Sequence, residues 1–363
     1  MLSRLGLLSV FAAGAIFAAD WNPRLAADYL DARQKEWFEW PTATANTGTA
    51  CISCHTNLPY LVVRPALRRA LGESQPTAYE TKFLEIMRSR AEKNSAADMY
   101  PKSKAPSHPA GVESIFTAWI LAMQDPAGAA TQKAFGRMWS MQIREGKAKG
   151  SWDFFEVDLD PWETNEKSPY FGAAVAALAA GSMPADYRAK PEVRERIAEL
   201  TAYLQRESQE QSLHNRVYAL WASTVLPDAM PPAERKAMID ELWTKQQSDG
   251  GWSNESLGPW QKREKAPASS GSNSYSTALV SSVLERAGVP ASNPKLARAL
   301  AWLRSHQDPQ GFWTADSMNK PYPPDSMQIR FMRDAATAFA SLALLENLPV
   351  APAPPGPLTV VGR

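Results

Sequence analysis

The chain has 363 residues, enough for one large domain or two ordinary ones, and its 44% apolar content is ample for a substantial core. Lysine plus arginine (39) nearly balances aspartate plus glutamate (38), which argues against nucleic acid or another polyanion as partner. Two cysteines are too few for a disulfide framework, and 13 tryptophans is the unusual figure.

Residues 1–19 read as an export signal: Arg4 supplies the positive start, Leu5 to Phe17 the apolar core, and Ala13, Ala15, Ala18 and Ala19 the small residues. The apolar run is short for a bilayer span, and Asp20 with Arg24 closes it; an uncleaved anchor is the alternative. No later stretch approaches the ~18 apolar residues of a span, so the mature chain is expected without one, in the periplasm or otherwise exported.

A first polar-faced helix is expected over 23–38, followed by Cys51-Ile52-Ser53-Cys54-His55. C-x-x-C-H is the spelling of covalent c-type haem attachment. Two thiols three positions apart can form thioethers to the haem vinyl groups, while the adjacent His55 reaches the iron as proximal ligand. A thioredoxin-like redox pair and a chance match are the competing readings. Thioether attachment takes place outside the cytoplasm, so signal and spelling support each other, and one haem c is the expected cofactor.

Apolar helices follow over 57–71, 112–124, 168–181, 213–226, 274–287 and 334–347. They alternate with polar-faced helices over 77–93, 128–143, 191–206, 233–247 and 293–306. One phrase recurs between the members of a pair. Gln247, Gly251 and Trp252 form one copy; Gln307, Gly311 and Trp313 form another. A looser copy runs Gln142, Gly150 and Trp152. Gln would cap carbonyls at a helix end, Gly allow the turn and Trp staple it. Loop 150–170 gathers Trp152, Phe154, Trp162 and Tyr170 with Glu156, Asp158 and Asp160, a rim for a hydrophobic or cationic ligand or a cover for the helix ends. Residues 349–363 form a Pro-rich tail.

Residues 51–55 resemble the c-type cytochrome motif, and residues from about 128 to 347 resemble the squalene–hopene cyclase and prenyltransferase repeat family through the Gln/Gly/Trp phrases. Periodicity alone shows paired helices. The resemblance implies an all-α fold, an (α/α)6 toroid of outer and inner helices over 20–348, with the haem at its mouth in the loop of the first repeat. The alternative is a cytochrome c-like domain over 20–110 followed by a toroid over 111–348. Class II cyclases of that family protonate an alkene with an Asp-x-Asp-Asp motif, whose central acid stays protonated in a dry cavity. Here Asp158-Leu159-Asp160 ends in Pro161, and Asp334-Ala335 has Ala where the family's helix start has a second acid. Cyclase activity is therefore not expected, and Asp334 reads as a helix N-cap.

The second iron ligand is open among Met99 and His108 before the second apolar helix, His214 opening the fourth, and Met318 or Met327 in the last long loop. Arg64 is a candidate for a haem propionate contact. The expected function is an exported monohaem c-type cytochrome that exchanges electrons with a redox partner protein or small-molecule carrier. A haem-dependent enzyme acting on a hydrophobic or isoprenoid-like substrate in the toroid cavity is one alternative, and a haem-based binding or sensing module the other.

Overall fold

The computed structural model describes residues 21–345 apart from 46, 94, 155–167, 261–266, 268, 270 and 318–320. The expected signal, the tail, Met318 and the Asp158–Asp160 pair lie outside the described residues.

Twelve helices of 11 residues or more carry the described fold. In chain order they are α1 (Pro23–Glu39), α2 (Asn57–Ala70), α3 (Ala78–Ala91), α4 (Ser107–Gln124), α5 (Ala129–Ser140) and α6 (Ser168–Ser182). The second half holds α7 (Pro191–Glu207), α8 (Leu213–Ser223), α9 (Pro232–Lys245), α10 (Ser274–Arg286), α11 (Pro294–Ser305) and α12 (Met327–Leu345). There is no strand among the described residues, and no helix there is long and apolar enough to cross a membrane.

Odd-numbered helices are amphipathic: α11 buries only Leu296, Ala299, Leu300 and Leu303, at helical spacing. Even-numbered helices are buried nearly all round, as in α6, where Phe171 to Ala180 have no exposed member. These inner helices pack in sequence, α2 on α4, α4 on α6, and so on to α10 on α12, and α12 then returns to α2. The last helix thus closes on the first inner one, and Leu30, Leu61 and Phe339 belong to one hydrophobic core. The chain is an all-helical, toroid-like fold.

The Gln-Gly-Trp phrase explains how each pair is tied to the next. Trp152, Trp252 and Trp313 are wholly buried and donate from Nε1 to the carbonyls of Met138, Leu242 and Leu303 at the ends of α5, α9 and α11 (2.7, 2.8 and 2.8 Å). Gln142 Nε2 donates to Gly150 O and, on the next outer helix, Arg196 O (3.2 and 3.1 Å). Gln246 Nε2 does the same with Gly250 O and Lys295 O (2.8 Å each). The register thus corrects the sequence alignment: Gln246 and Gly250, rather than Gln247 and Gly251, occupy the repeat positions. Gly150, Gly250 and Gly311 have φ of +97°, +102° and +94°, a region L-residues avoid. A Cβ on Gly150 or Gly311 would stand 2.1 Å from Glu199 O or 2.2 Å from Leu25 O, so each loop lies against the following outer helix.

The third copy reaches back to the start of the chain. Gln307 Nε2 donates to Asn22 O (3.0 Å), and Asn22 N donates to Gln307 Oε1 (2.6 Å). Asn22 is the N-cap of α1, its side chain accepting from the Arg24 and Leu25 amides. The device that links neighbouring repeats therefore also joins the last to the first.

Two helix starts differ from the sequence reading. α4 begins at Ser107, because Pro109 falls in the first turn where its missing N–H costs nothing. α12 begins at Met327, two turns before residue 334. Asp334 is consequently an interior, fully buried residue and no N-cap.

Candidate functional site

Outer and inner helices alternate along the chain, so every inner helix starts at the same end of the ring. The Cys51–His55 segment leads into α2 at that mouth, His214 and Tyr275 are the second residues of α8 and α10, and Phe331 lies in the second turn of α12.

The segment is fixed from three sides. From within, Ser53 Oγ accepts from the amides of His55 and Thr56 (3.1 and 3.2 Å), and Ser53 N donates to Asn57 Oδ1 (2.9 Å). From α1, Trp37 Nε1 donates to Cys51 O (3.0 Å), and Gln34 Oε1 accepts from Asn57 Nδ2 (2.8 Å). From α12, Phe331 stacks on the His55 imidazole, centroids 5.3 Å apart and planes 13° off parallel. Asp334 Oδ2 accepts from Thr56 Oγ1 (2.8 Å), while Oδ1 takes Arg33 Nε (2.8 Å) and Tyr29 OH (3.0 Å). The candidate site is thus built into the seam that closes the ring.

A further clamp holds the arm before Cys51. Arg90, at the end of α3, donates from one guanidinium nitrogen to Thr49 Oγ1 (2.7 Å) and Ala50 O (2.9 Å). Its other end pairs with Glu113 of α4, itself 1% exposed.

Cys54 and His55 are each 6% exposed, and no disulfide joins the two cysteines. Burial holds the His55 imidazole neutral, its pKa pushed down to about 4. Its Nε2 lies 3.3 Å from Cys54 Sγ, and its Nδ1 3.2 Å from Ser53 Oγ. Burial, with the nearby Glu113 carboxylate, pushes the Cys51 thiol up to about 11, so it is protonated at neutral pH.

The other expected site residues scatter. His214, wholly buried, is engaged with Tyr275 through Nε2 (2.8 Å) and with Asn215 through Nδ1 (3.2 Å). Met99 packs with Tyr100 and Ala110 in a small separate cluster. His108 is exposed in the first turn of α4, and Met327, half-buried, opens α12 rather than lying in a loop. Arg64 is 2% exposed and faces α1: its guanidinium meets Asp31 (3.0 and 3.1 Å) and Glu73 (2.6 Å). Two carboxylates thus engage the cation on the outer side of the segment.

Between these groups the inner wall is aromatic. Tyr218 meets Phe171 edge-on (4.7 Å), Tyr275 meets Phe339 (5.8 Å), and Trp119 meets Trp221 (5.4 Å). Sequence reading missed Tyr275, Phe331, Thr56 and Glu113. Only Tyr275 carried a signal, by occupying the same second position of an inner helix as His214.

No family model and no curated protein matches the chain. Solved structures do. A structure described as polysaccharide lyase BACCELL_00875 superposes with a TM-score of 0.51 at 13% identity, covering 88% of this chain and 97% of its own. A possible GH105 family member from Salmonella enterica gives 0.49 at 10% identity, over 95% and 98% of the two chains. The type II terpene cyclase MstE from Scytonema gives 0.47 at 13%, over 90% and 98%. At such identities the likeness is one of fold, and that fold is the α/α toroid.

The electron carrier expected from the sequence is corrected here. The structure that superposes with a TM-score of 0.51 is described as a polysaccharide lyase, not a cytochrome, and the likeness covers 88% of this chain. Among the described residues no group of three or more His, Cys, Asp or Glu side chains is placed to hold a metal ion. An electron carrier would favour two strong ligands on iron, whereas His214 is held by Tyr275 and Asn215, and Met99 packs elsewhere. The labels cytochrome and electron transfer are therefore dropped.

Proposed function

We propose that this chain is an enzyme on an (α/α)6 toroid, one ring from α1 to α12, with a haem attached through Cys51 and Cys54 at its mouth. The chain is read as exported by residues 1–19, and its substrate as a largely apolar molecule that enters against the aromatic inner wall. The observation that carries this reading is the Cys51–His55 segment at the ring seam, where two cysteines not joined by a disulfide stand beside a buried, neutral imidazole.

The donor chemistry fits the group. Porphyrin supplies four iron ligands itself, so His55 is the single protein ligand needed, and it must be neutral to bind. No disulfide joins Cys51 to Cys54. Bound haem would supply redox chemistry or a coordination position for a small molecule. The remaining roles belong to this chain's residues. Phe331 fixes the rotation of the imidazole, Asp334 anchors Thr56 beside it, Trp37 holds the Cys51 carbonyl, and Arg90 with Glu113 fixes the preceding arm. Tyr218, Tyr275 and Phe339 keep water from the inner wall.

Cyclase-type acid catalysis is not proposed. Asp334 is the one described acid of the family-like helix start, and it is spent on Arg33, Tyr29 and Thr56. The test of the reading is expression with haem-attachment machinery, followed by denaturing chromatography. One haem should stay with the chain, Cys51→Ser or Cys54→Ser should reduce its retention, and the double variant should lose it. Retention without either cysteine would overturn the attachment.

A further inference from the structure

On the outer side of the ring, a groove of about 320 Å³ lies between α5 and the start of α7. Its size falls at the small end of ligand sites, which run from about 300 to 1,000 Å³. Two rings form its apolar wall: Trp139 of α5 and Tyr187 of the short helix Ala185–Ala189. Trp139 Nε1 donates to Tyr187 OH (3.1 Å), and Phe135 meets Tyr187 edge-on (5.4 Å), so the wall is braced from within. Gly136 lines the groove in the interior of α5, where glycine costs about 1 kcal/mol against alanine. A Cβ there would meet nothing within 4 Å, so no neighbour in the described chain calls for it. Its effect is to keep the helix backbone bare beside the two rings, open to close approach by a ligand.

The charges on the groove call for an anion. Lys190 and Arg196 line it against a single acid, Glu192, which leaves one positive charge in excess. Arg196 Nη1 is buried and has no hydrogen-bond partner among the described residues. The two acids that bear on it are engaged elsewhere, Glu195 with Arg144, and Glu199 with Arg144 and Lys149. Burial and the Arg144 charge hold the Arg196 guanidinium below its usual pKa range, as befits a cation short of a counter-charge. Lys190 Nζ stands 5.0 Å from the Tyr187 ring centroid, on the same wall. Lys190 also occupies the N-cap of α7, which no side chain caps, so the positive end of that helix dipole adds to the field. One excess charge beside flat apolar rings suits a monoanion on a planar body better than a dianion or a neutral ligand.

We propose that the groove between α5 and α7 is a second binding site, on the outer side of the ring, for a small aromatic monocarboxylate. Its ring lies against Trp139 and Tyr187, across the bare backbone at Gly136, and its carboxylate meets Arg196 and Lys190. No residue of the Cys51–His55 segment or of the aromatic inner wall lines this groove, so the site rests neither on the haem nor on the inner-wall substrate.

The experiment titrates the full chain with 3-phenylpropanoate and with 3-phenylpropanamide, its neutral analogue of the same shape, by calorimetry at neutral pH and low salt. The carboxylate should bind about tenfold more tightly, the margin of a charge-assisted hydrogen bond over a neutral one. Arg196→Gln should bring the two affinities within about twofold while amide binding persists, and Lys190→Gln should lower the preference by a smaller factor. Gly136→Leu should remove binding of both probes in a chain that unfolds at no lower temperature, since its Cβ meets no neighbour and its side chain fills the groove. The same preference is expected with or without haem. Equal affinities in the wild type, an unchanged preference in Arg196→Gln, or full binding in Gly136→Leu overturns the proposal. So does a folded wild-type chain that binds neither probe at about millimolar concentration.

Discussion

Asp334→Ala is the substitution that most stresses the seam. The carboxylate is fully buried and accepts from Arg33 Nε, Tyr29 OH and Thr56 Oγ1 at 2.8, 3.0 and 2.8 Å. Burial pushes its pKa up while the Arg33 charge and the hydrogen bonds pull it down. Removing one member of a buried ion pair costs about 3–5 kcal/mol, because the other charge stays in a poor solvent. Arg33 is only 3% exposed, but it also meets Glu36, which is 42% exposed and offers partial relief. The expected loss is therefore at the lower end, about 3 kcal/mol, read in urea as a shift of midpoint at constant slope. Arg33→Met with Asp334→Leu should recover most of it, since an apolar pair of similar volume removes both desolvated charges. A loss below about 1 kcal/mol in Asp334→Ala would mean that α1 and α12 are not joined through this carboxylate, and the closed ring would lose its main support.

Two glycines should respond in opposite directions. Gly311→Ala places a Cβ 2.2 Å from Leu25 O at a φ of +94° and should cost about 2 kcal/mol or more, whereas Gly136→Ala, inside α5 with open space around it, should gain about 0.5–1 kcal/mol. Thermal unfolding checks both, and equal effects would refute the repeat geometry. Stability of the chain without haem should fall in acid. His55 and His214 have folded pKa values near 4 against about 6.5 when unfolded, so between these values the unfolded state binds more protons. Their contribution is full above pH ~6.5 and lost as pH drops towards 4, about 3 kcal/mol for each imidazole. His214→Phe should flatten that decline in urea midpoints, and an unaltered slope would contradict its neutral burial.

Much of the fold was legible because paired amphipathic and apolar helices leave a strong period. The segments expected over 57–71, 191–206 and 274–287 appear as Asn57–Ala70, Pro191–Glu207 and Ser274–Arg286. The starts that slipped did so where local signals mislead: Pro109 reads as a breaker yet fits a first turn, and Asp334 reads as a cap yet is held inside α12 by residues some 300 positions away. One repeat slipped by a residue because Gln246-Gln247 and Gly250-Gly251 are doublets, and only the partner carbonyls tell the two registers apart. The Cys51–His55 segment was evident from its spelling. Phe331, Thr56 and Glu113 were not, since their roles come from contacts across the ring and an isolated Phe or Thr carries no local mark of them. The electron-carrier reading failed for a related reason: five residues can name an attachment chemistry but not the scaffold that uses it.

The most direct measurement is the mass of the intact chain after maturation with haem-attachment machinery and full denaturation. One added haem per chain, carried on the peptide containing Cys51 and Cys54, is the expected result. A colourless chain with unmodified thiols and no added mass would contradict the cofactor at the centre of this account.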